Sequence, residues 1–140
     1  MEKLQWNDNL SVGVELIDSQ HKKWIEYYNS AAGALHSMQG SARIASTLGF
    51  LIDYTEEHFA TEEKHMQEHA YPGYEDHRAI HQELRRTLSG LVEDYEEDGV
   101  TNPLVDSIDT FLRNWLINHI IEIDMKFGAY LEEEGISLSE

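Results

Sequence analysis

Residues 58–81 read HFATEEKHMQEHAYPGYEDHRAIH, and their spacing decides the fold. His58 and Glu62 stand four apart, a Tyr71-Pro72-Gly73 break follows, and His77 and His81 again stand four apart. Positions i and i+4 lie one turn apart on the same helical face, so each pair presents two ligand-type side chains to one point in space. Two such pairs facing across a tight turn make half of a metal site. The other half must come from elsewhere in the chain at the same height.

Working outward, the seam Ile44, Leu48, Leu51, Thr55, His58, Glu62, His65, His69 predicts a helix over about 41–69, with Ser41 as its cap. After the break, His77, His81, Leu84, Leu88 and Tyr95 predict a second helix over about 74–97, dissolving in the acidic loop near Gly99. Upstream, Asp18 or Ser19 is placed to cap a helix over about 19–38, whose His21, Trp24, Tyr28, Ala32 and Leu35 share one face and which ends near Gly40. Downstream, Asn102-Pro103 reads as a cap followed by a first-turn proline. It opens a helix over about 103–127 that carries Val105, Ile108, Leu112, Trp115, His119 and Ile123 and frays after Gly128. Residues 1–17 are too irregular for a helix and too apolar to be free, which predicts an arm packed along the domain. Four helices with short connections and no period-two alternation read as all-α, an antiparallel up-down-up-down four-helix bundle with an N-terminal arm, forming one domain over 1–140.

Composition narrows the partners. Twenty-seven acidic against ten basic residues give a formal charge of −17, which argues against nucleic acid and anionic membranes and is the mark of a solvated acidic helical surface. No cysteine is present, so thiolate sites and cysteine nucleophiles are excluded, and the chain fits a reducing compartment. The start, MEKLQWNDNL, has no apolar signal region, and no apolar run is long enough to span a bilayer; a cytoplasmic protein is expected.

Height along the bundle can be tested by arithmetic, because each turn mirrors the rise of one helix onto the next. The midpoint of His58 and Glu62 is position 60 and that of His77 and His81 is 79, so their mirror falls beside Tyr71-Pro72-Gly73. Reflected about Gly40, position 60 lands beside His21; reflected about Gly99, position 79 lands at His119, near Asp124. Five histidines and two carboxylates from four helices thus share one layer. Burying so many imidazoles and carboxylates without a metal would be costly. Asp124 lies five residues after His119, off the seam of an ideal helix unless the helix is locally widened; Glu122, three after His119, fits an ideal helix better, and Asp109 is a further alternative. His36 and His65 find no partner across the bundle by the same reflection, and with His69 they read as surface or helix-end residues.

Imidazole and carboxylate suit iron, zinc, manganese or copper. Seven side chains exceed one ion's needs, so two ions are implied. If Glu62 and Asp124 both bridge and a shared oxide or hydroxide joins them, two octahedral ions are left one position short, where a small ligand would bind.

The stretches IDSQH at 17–21, HFATEE at 58–63, HRAIH at 77–81 and WLINHIIEID at 115–124 together resemble the hemerythrin family, in its single-domain bacterial form. The resemblance implies that His77, His81 and His119 ligate one iron and His21 and His58 the other. It implies that Glu62 and Asp124 bridge both, with Asp124 preferred over Glu122, and that dioxygen binds at the vacancy. Trp24, Phe59, Trp115, Leu116 and Ile120 are similar to the family's apolar dioxygen pocket, and Leu84 departs from a frequent phenylalanine. The expected function is reversible dioxygen binding at a non-haem di-iron centre, as carrier, store or delivery protein, not as an enzyme. A protein acceptor of oxygen is the candidate partner, and a monomer is expected. The competing readings are a free-standing oxygen or nitric oxide sensor, a di-iron oxidase and a two-zinc hydrolase. An oxidase of the ferritin type calls for two glutamate-x-x-histidine pairs, and only Glu62 to His65 has that spacing. A hydrolase needs an open cleft, whereas this layer lies inside a bundle.

Overall fold

The computed structural model describes residues 4–37 and 41–138. Among them run four long helical segments: α1 (Glu15–His36), α2 (Ser41–Glu68), α3 (Tyr74–Asp98) and α4, a continuous helical run over 102–133. A short 3-10 turn, Asp8–Leu10, interrupts the arm ahead of α1. Short connections fold the helices antiparallel into a four-helix bundle, and no strand occurs among the described residues. No helix of the described residues is long and apolar enough to cross a membrane. The expected end of the first helix at Met38–Gly40 and the expected cap by the Ser41 side chain lie outside the described residues.

α1 begins at Glu15, four residues before the start read from Ser19, with Val14 at the cap position and no capping side chain. Asp18 has another task. Its carboxylate accepts the Val12 amide at 2.8 Å and the Ser11 hydroxyl at 2.5 Å, tethering the arm to the first turn. Farther back, the Leu4 amide donates to Asn29 Oδ1 at 2.9 Å and Asn29 Nδ2 returns a bond to the Leu4 carbonyl at 2.7 Å. Leu4, Leu10 and Val12 are buried, so the arm is part of the core.

Gly128 seats that arm: a Cβ there would stand 2.2 Å from the Val12 carbonyl oxygen, which is backbone and has nowhere to retreat. Gly128→Ala is expected to cost about 1–3 kcal/mol, the usual penalty for overpacking. Limited proteolysis should then cleave the arm much faster than in the parent, and an unchanged rate together with an unchanged melting temperature would contradict the seat.

The expected fraying after Gly128 does not occur. α4 runs on through Met125–Glu133 because Phe127 and Leu131 are fully buried and the Tyr130 hydroxyl donates to the His69 carbonyl at 2.7 Å. Its start is capped by Thr101, whose hydroxyl accepts the Leu104 amide at 3.2 Å, and not by Asn102; Pro103 occupies the first turn as expected. Twice α4 widens to π geometry, at Ser107–Leu112 and at His119–Asp124. The Tyr28 hydroxyl donates to the Ile108 carbonyl at 3.0 Å within the first widened segment. Widening also shifts the buried face of α4 to Leu104, Ile108, Leu112, Leu116 and Ile120, leaving Val105, Trp115 and Ile123 half-buried. His36, expected to lack a partner, reaches Asp109 Oδ2 at 2.5 Å and ties the end of α1 to α4.

Candidate metal centre

Four helices place the layer. α1 contributes His21, α2 His58 and Glu62, α3 His77 and His81, and α4 His119 and Asp124; the seven residues are at most 3% exposed. Their donor atoms form two groups, Glu62 with His77, His81, His119 and Asp124, and His21 with His58, Glu62 and Asp124, the atoms of each lying within 4.8 Å of one another. Both carboxylates belong to both groups. His21 Nε2 approaches Asp124 Oδ2 at 2.7 Å, His77 and His119 approach its Oδ1 at 3.0 and 3.1 Å, and His58 approaches Glu62 Oε1 at 3.2 Å.

Asp124 reaches the layer through the second π segment. A helix hydrogen-bonded i to i+5 turns its fifth residue back onto the face of the first, so His119 and Asp124 converge where an ideal helix would have parted them. The same widening leaves Glu122, the better fit to an ideal helix, exposed, while Asp109 is occupied by His36.

The residues fit a metal. Buried polar groups are ordinarily hydrogen-bonded, yet both oxygens of Glu62, His58 Nε2, His77 Nε2 and Asp124 Oδ1 are buried without a well-aligned hydrogen bond, left with only the imidazole–carboxylate contacts given above. His81 Nε2 and His119 Nε2 face each other at 3.2 Å, two nitrogens that a shared cation would satisfy together. Electrostatics agree. Burial alone would raise the Glu62 carboxyl, as would the Asp124 charge, but the His58 and His81 imidazoles outweigh both and hold it at about 2. Asp124, also opposed by burial, is held well below the carboxylate range by His119, His21 and His77. Burial pulls His58 and His77 down, but the carboxylates more than offset it and both end above the ordinary histidine value. At His119 burial wins and the imidazole is lowered. Protons thus occupy, in part, the places that cations would take.

Outside the layer two side chains, unremarked in the sequence reading, set the ring orientations. Gln20 Oε1 accepts the His58 Nδ1 proton at 2.7 Å, which leaves Nε2 as the nitrogen that faces Glu62 and the interior of the layer. Glu63 Oε2 does the same for His81 Nδ1 at 2.8 Å and is itself held by Arg85 at 3.1 Å. Both lie inside the quoted stretches IDSQH and HFATEE, so their adjacency to ligand-type residues was the available signal. Gln20→Leu is expected to weaken metal binding about 10–100-fold, the usual cost of losing such a partner, while the bundle stays folded. Competition with a coloured chelator measures this, and unaltered affinity would contradict the role.

Aromatic rings wall the layer. Phe59 stacks on His81 with centroids 3.7 Å apart and planes 6° apart, Trp115 stacks on His119 at 4.5 Å and 9°, and Trp24 stands 5.0 Å from His58. Trp24, Phe59, Leu116 and Ile120 are at most 1% exposed; Trp115 is half-buried and lines, with Ile80, His119 and Ile123, a surface cleft of about 180 Å³. Leu84 is buried in the core. One grouping was missed: His65, Glu68 and His69 bring their donor atoms within 4.8 Å of one another. Reflection across helices could not find it, because all three lie within about one turn of one another at the C-terminal end of α2, His69 just past its last residue.

Residues 12–131 match the model of the hemerythrin HHE cation binding domain. The bacteriohemerythrin of Stenotrophomonas maltophilia (strain R551-3) is 33% identical over 128 residues, covering 91% of this chain and 81% of the relative. That of Pseudomonas aeruginosa (strain LESB58) is 32% identical over 140 residues, covering 100% and 87%. The crystal structure of a wild-type hemerythrin superposes with a TM-score of 0.81 at 27% identity, covering 91% of this chain and 97% of that one. With a family match over most of its length and a layer of ligand-type residues in every helix, the chain belongs to the hemerythrin family.

Proposed function

We propose that the chain binds dioxygen reversibly at a di-iron centre in which His77, His81 and His119 hold one iron, His21 and His58 hold the other, and Glu62 and Asp124 bridge them together with an oxide or hydroxide. The observation that carries this reading is the pair of donor groups sharing the same two buried carboxylates. When bound, two ferrous ions supply the two electrons with which dioxygen is held and given back.

The chain's own residues do the rest. The group containing His21 and His58 has one imidazole fewer, so a small ligand would be taken up on that side, beside Trp24. Trp24, Phe59, Leu116 and Ile120, all buried, keep water and its protons from the layer, which favours release of the ligand unchanged. Trp115 stacks on His119 at the cleft that both line. Gln20 and Glu63 fix the rings of His58 and His81, so the centre takes up its ligand with little rearrangement.

A binding protein and not an enzyme is the reading, in keeping with the hemerythrin family match. The one glutamate-x-x-histidine spacing runs from Glu62 to His65, and His65 groups with Glu68 and His69 instead of the layer. The reading extends to a cytoplasmic monomer that passes oxygen to a protein acceptor; a chain without cysteine needs no oxidising compartment, which is compatible with the first of these alone. Anaerobic titration of the reduced, iron-loaded protein with dioxygen tests the function. One equivalent should bind per chain and leave again under argon through repeated cycles. Continuing consumption with release of hydrogen peroxide would identify an oxidase instead.

A further inference from the structure

We propose that His65, Glu68 and His69 form a second, mononuclear site for a divalent transition-metal ion at the C-terminal end of α2, separate from the di-iron centre. His65 and His69 stand four apart on one face, with ring planes 8° apart and centroids 6.3 Å apart; Glu68 Oε2 lies 3.6 Å from His65 Nδ1. That nitrogen is buried and has no hydrogen-bond partner, in a residue only 5% exposed.

The three donors lie within 4.8 Å of one another, against roughly 3.4 Å between ligands of a tetrahedral ion with bonds of about 2.1 Å. Closing the difference falls to the less buried members, the Glu68 side chain being 51% exposed and His69 half-buried. The backbone beneath them is fixed. The His69 amide bonds to the His65 carbonyl at 3.1 Å, the Tyr71 amide reaches back to the Met66 carbonyl at 2.9 Å across the left-handed Ala70, and the Tyr130 hydroxyl holds the His69 carbonyl. The negative pole of α2 favours a cation at this end. Two imidazoles, one carboxylate and a water form the donor set of an open zinc-type site, so a borderline cation is expected and calcium or magnesium is not.

The test loads the full chain with iron, dialyses it against Zn²⁺, and measures both metals by elemental analysis. One equivalent of zinc per chain should bind with the iron content unchanged. His69→Ala and Glu68→Gln should each weaken that uptake at least about tenfold without altering iron content or the dioxygen spectrum, and His36→Ala should leave it as it was. Zinc uptake matched by iron release, uptake indifferent to both variants, or no uptake beyond the iron would overturn the site. Failure at the di-iron centre appears separately, as a low iron content before zinc is added.

Discussion

Stripped of its metal, the protein should melt at least about 10 °C below the iron-loaded form at pH 7. The layer buries two carboxylates and five imidazoles, several with atoms that nothing else in the chain satisfies. Each such atom carries a desolvation penalty of about 1–3 kcal/mol, and a bound cation removes it. Metal that binds the folded chain alone, at a thousand times its dissociation constant, contributes about 4 kcal/mol, and each kcal/mol moves the melting point of a domain of this size by a few degrees. The gap should narrow on acidification. His58 and His77 are raised in the folded, metal-free chain, so their stabilising contribution is full below the unfolded histidine pKa of about 6.5 and is lost as pH rises past the folded value. Glu62 and Asp124 are depressed, so their contribution persists above about 4 and fades only as pH falls toward the folded values, about 2 for Glu62. Between roughly pH 4 and 6.5 both contributions support the metal-free chain, while protons compete with iron for the same nitrogens. Calorimetry of both forms from pH 5 to 8 measures the gap, and identical melting at every pH would contradict the coupling.

Asp124→Asn should abolish stoichiometric iron binding, a larger effect than the roughly 100-fold that an outer partner can cost. One carboxylate serves both donor groups and meets His21, His77 and His119 within 3.1 Å, so its charge is shared by three imidazoles on three helices. The amide keeps the shape and loses the charge. Glu122→Gln, on the exposed face of the same widened segment, should bind two irons as the parent does. Metal analysis of the two variants decides between them, and a loss at Glu122 with retention at Asp124 would restore the ideal-helix geometry that the structure departs from.

The layer was legible because its evidence is periodic: i,i+4 pairs at 58/62 and 77/81, a Pro72-Gly73 break between them, and a glycine near each mirror point. What escaped was whatever tertiary contacts decide. Asp18 is as good a cap in isolation as Ser19, and only the Val12 amide and Ser11 hydroxyl show that its carboxylate is already committed. The placement of Asp124 rested on family resemblance, since no local preference marks the residues of His119–Asp124 for π geometry. Gln20 and Glu63 act through neighbours 38 and 18 residues away, a relation that spacing along one helix does not encode. The reverse holds for His65 and His69, whose partners stand on their own helix and so lay outside a test built on reflection between helices.

In the proposed centre one layer of seven residues holds two irons. Diffraction from crystals of the iron-loaded protein, recorded on either side of the iron absorption edge, tests it most directly. Two anomalous peaks are expected inside the bundle, one flanked by His77, His81 and His119, the other by His21 and His58, with Glu62 and Asp124 touching both. A single peak in the layer, or iron found only beside His65 and His69, would contradict it.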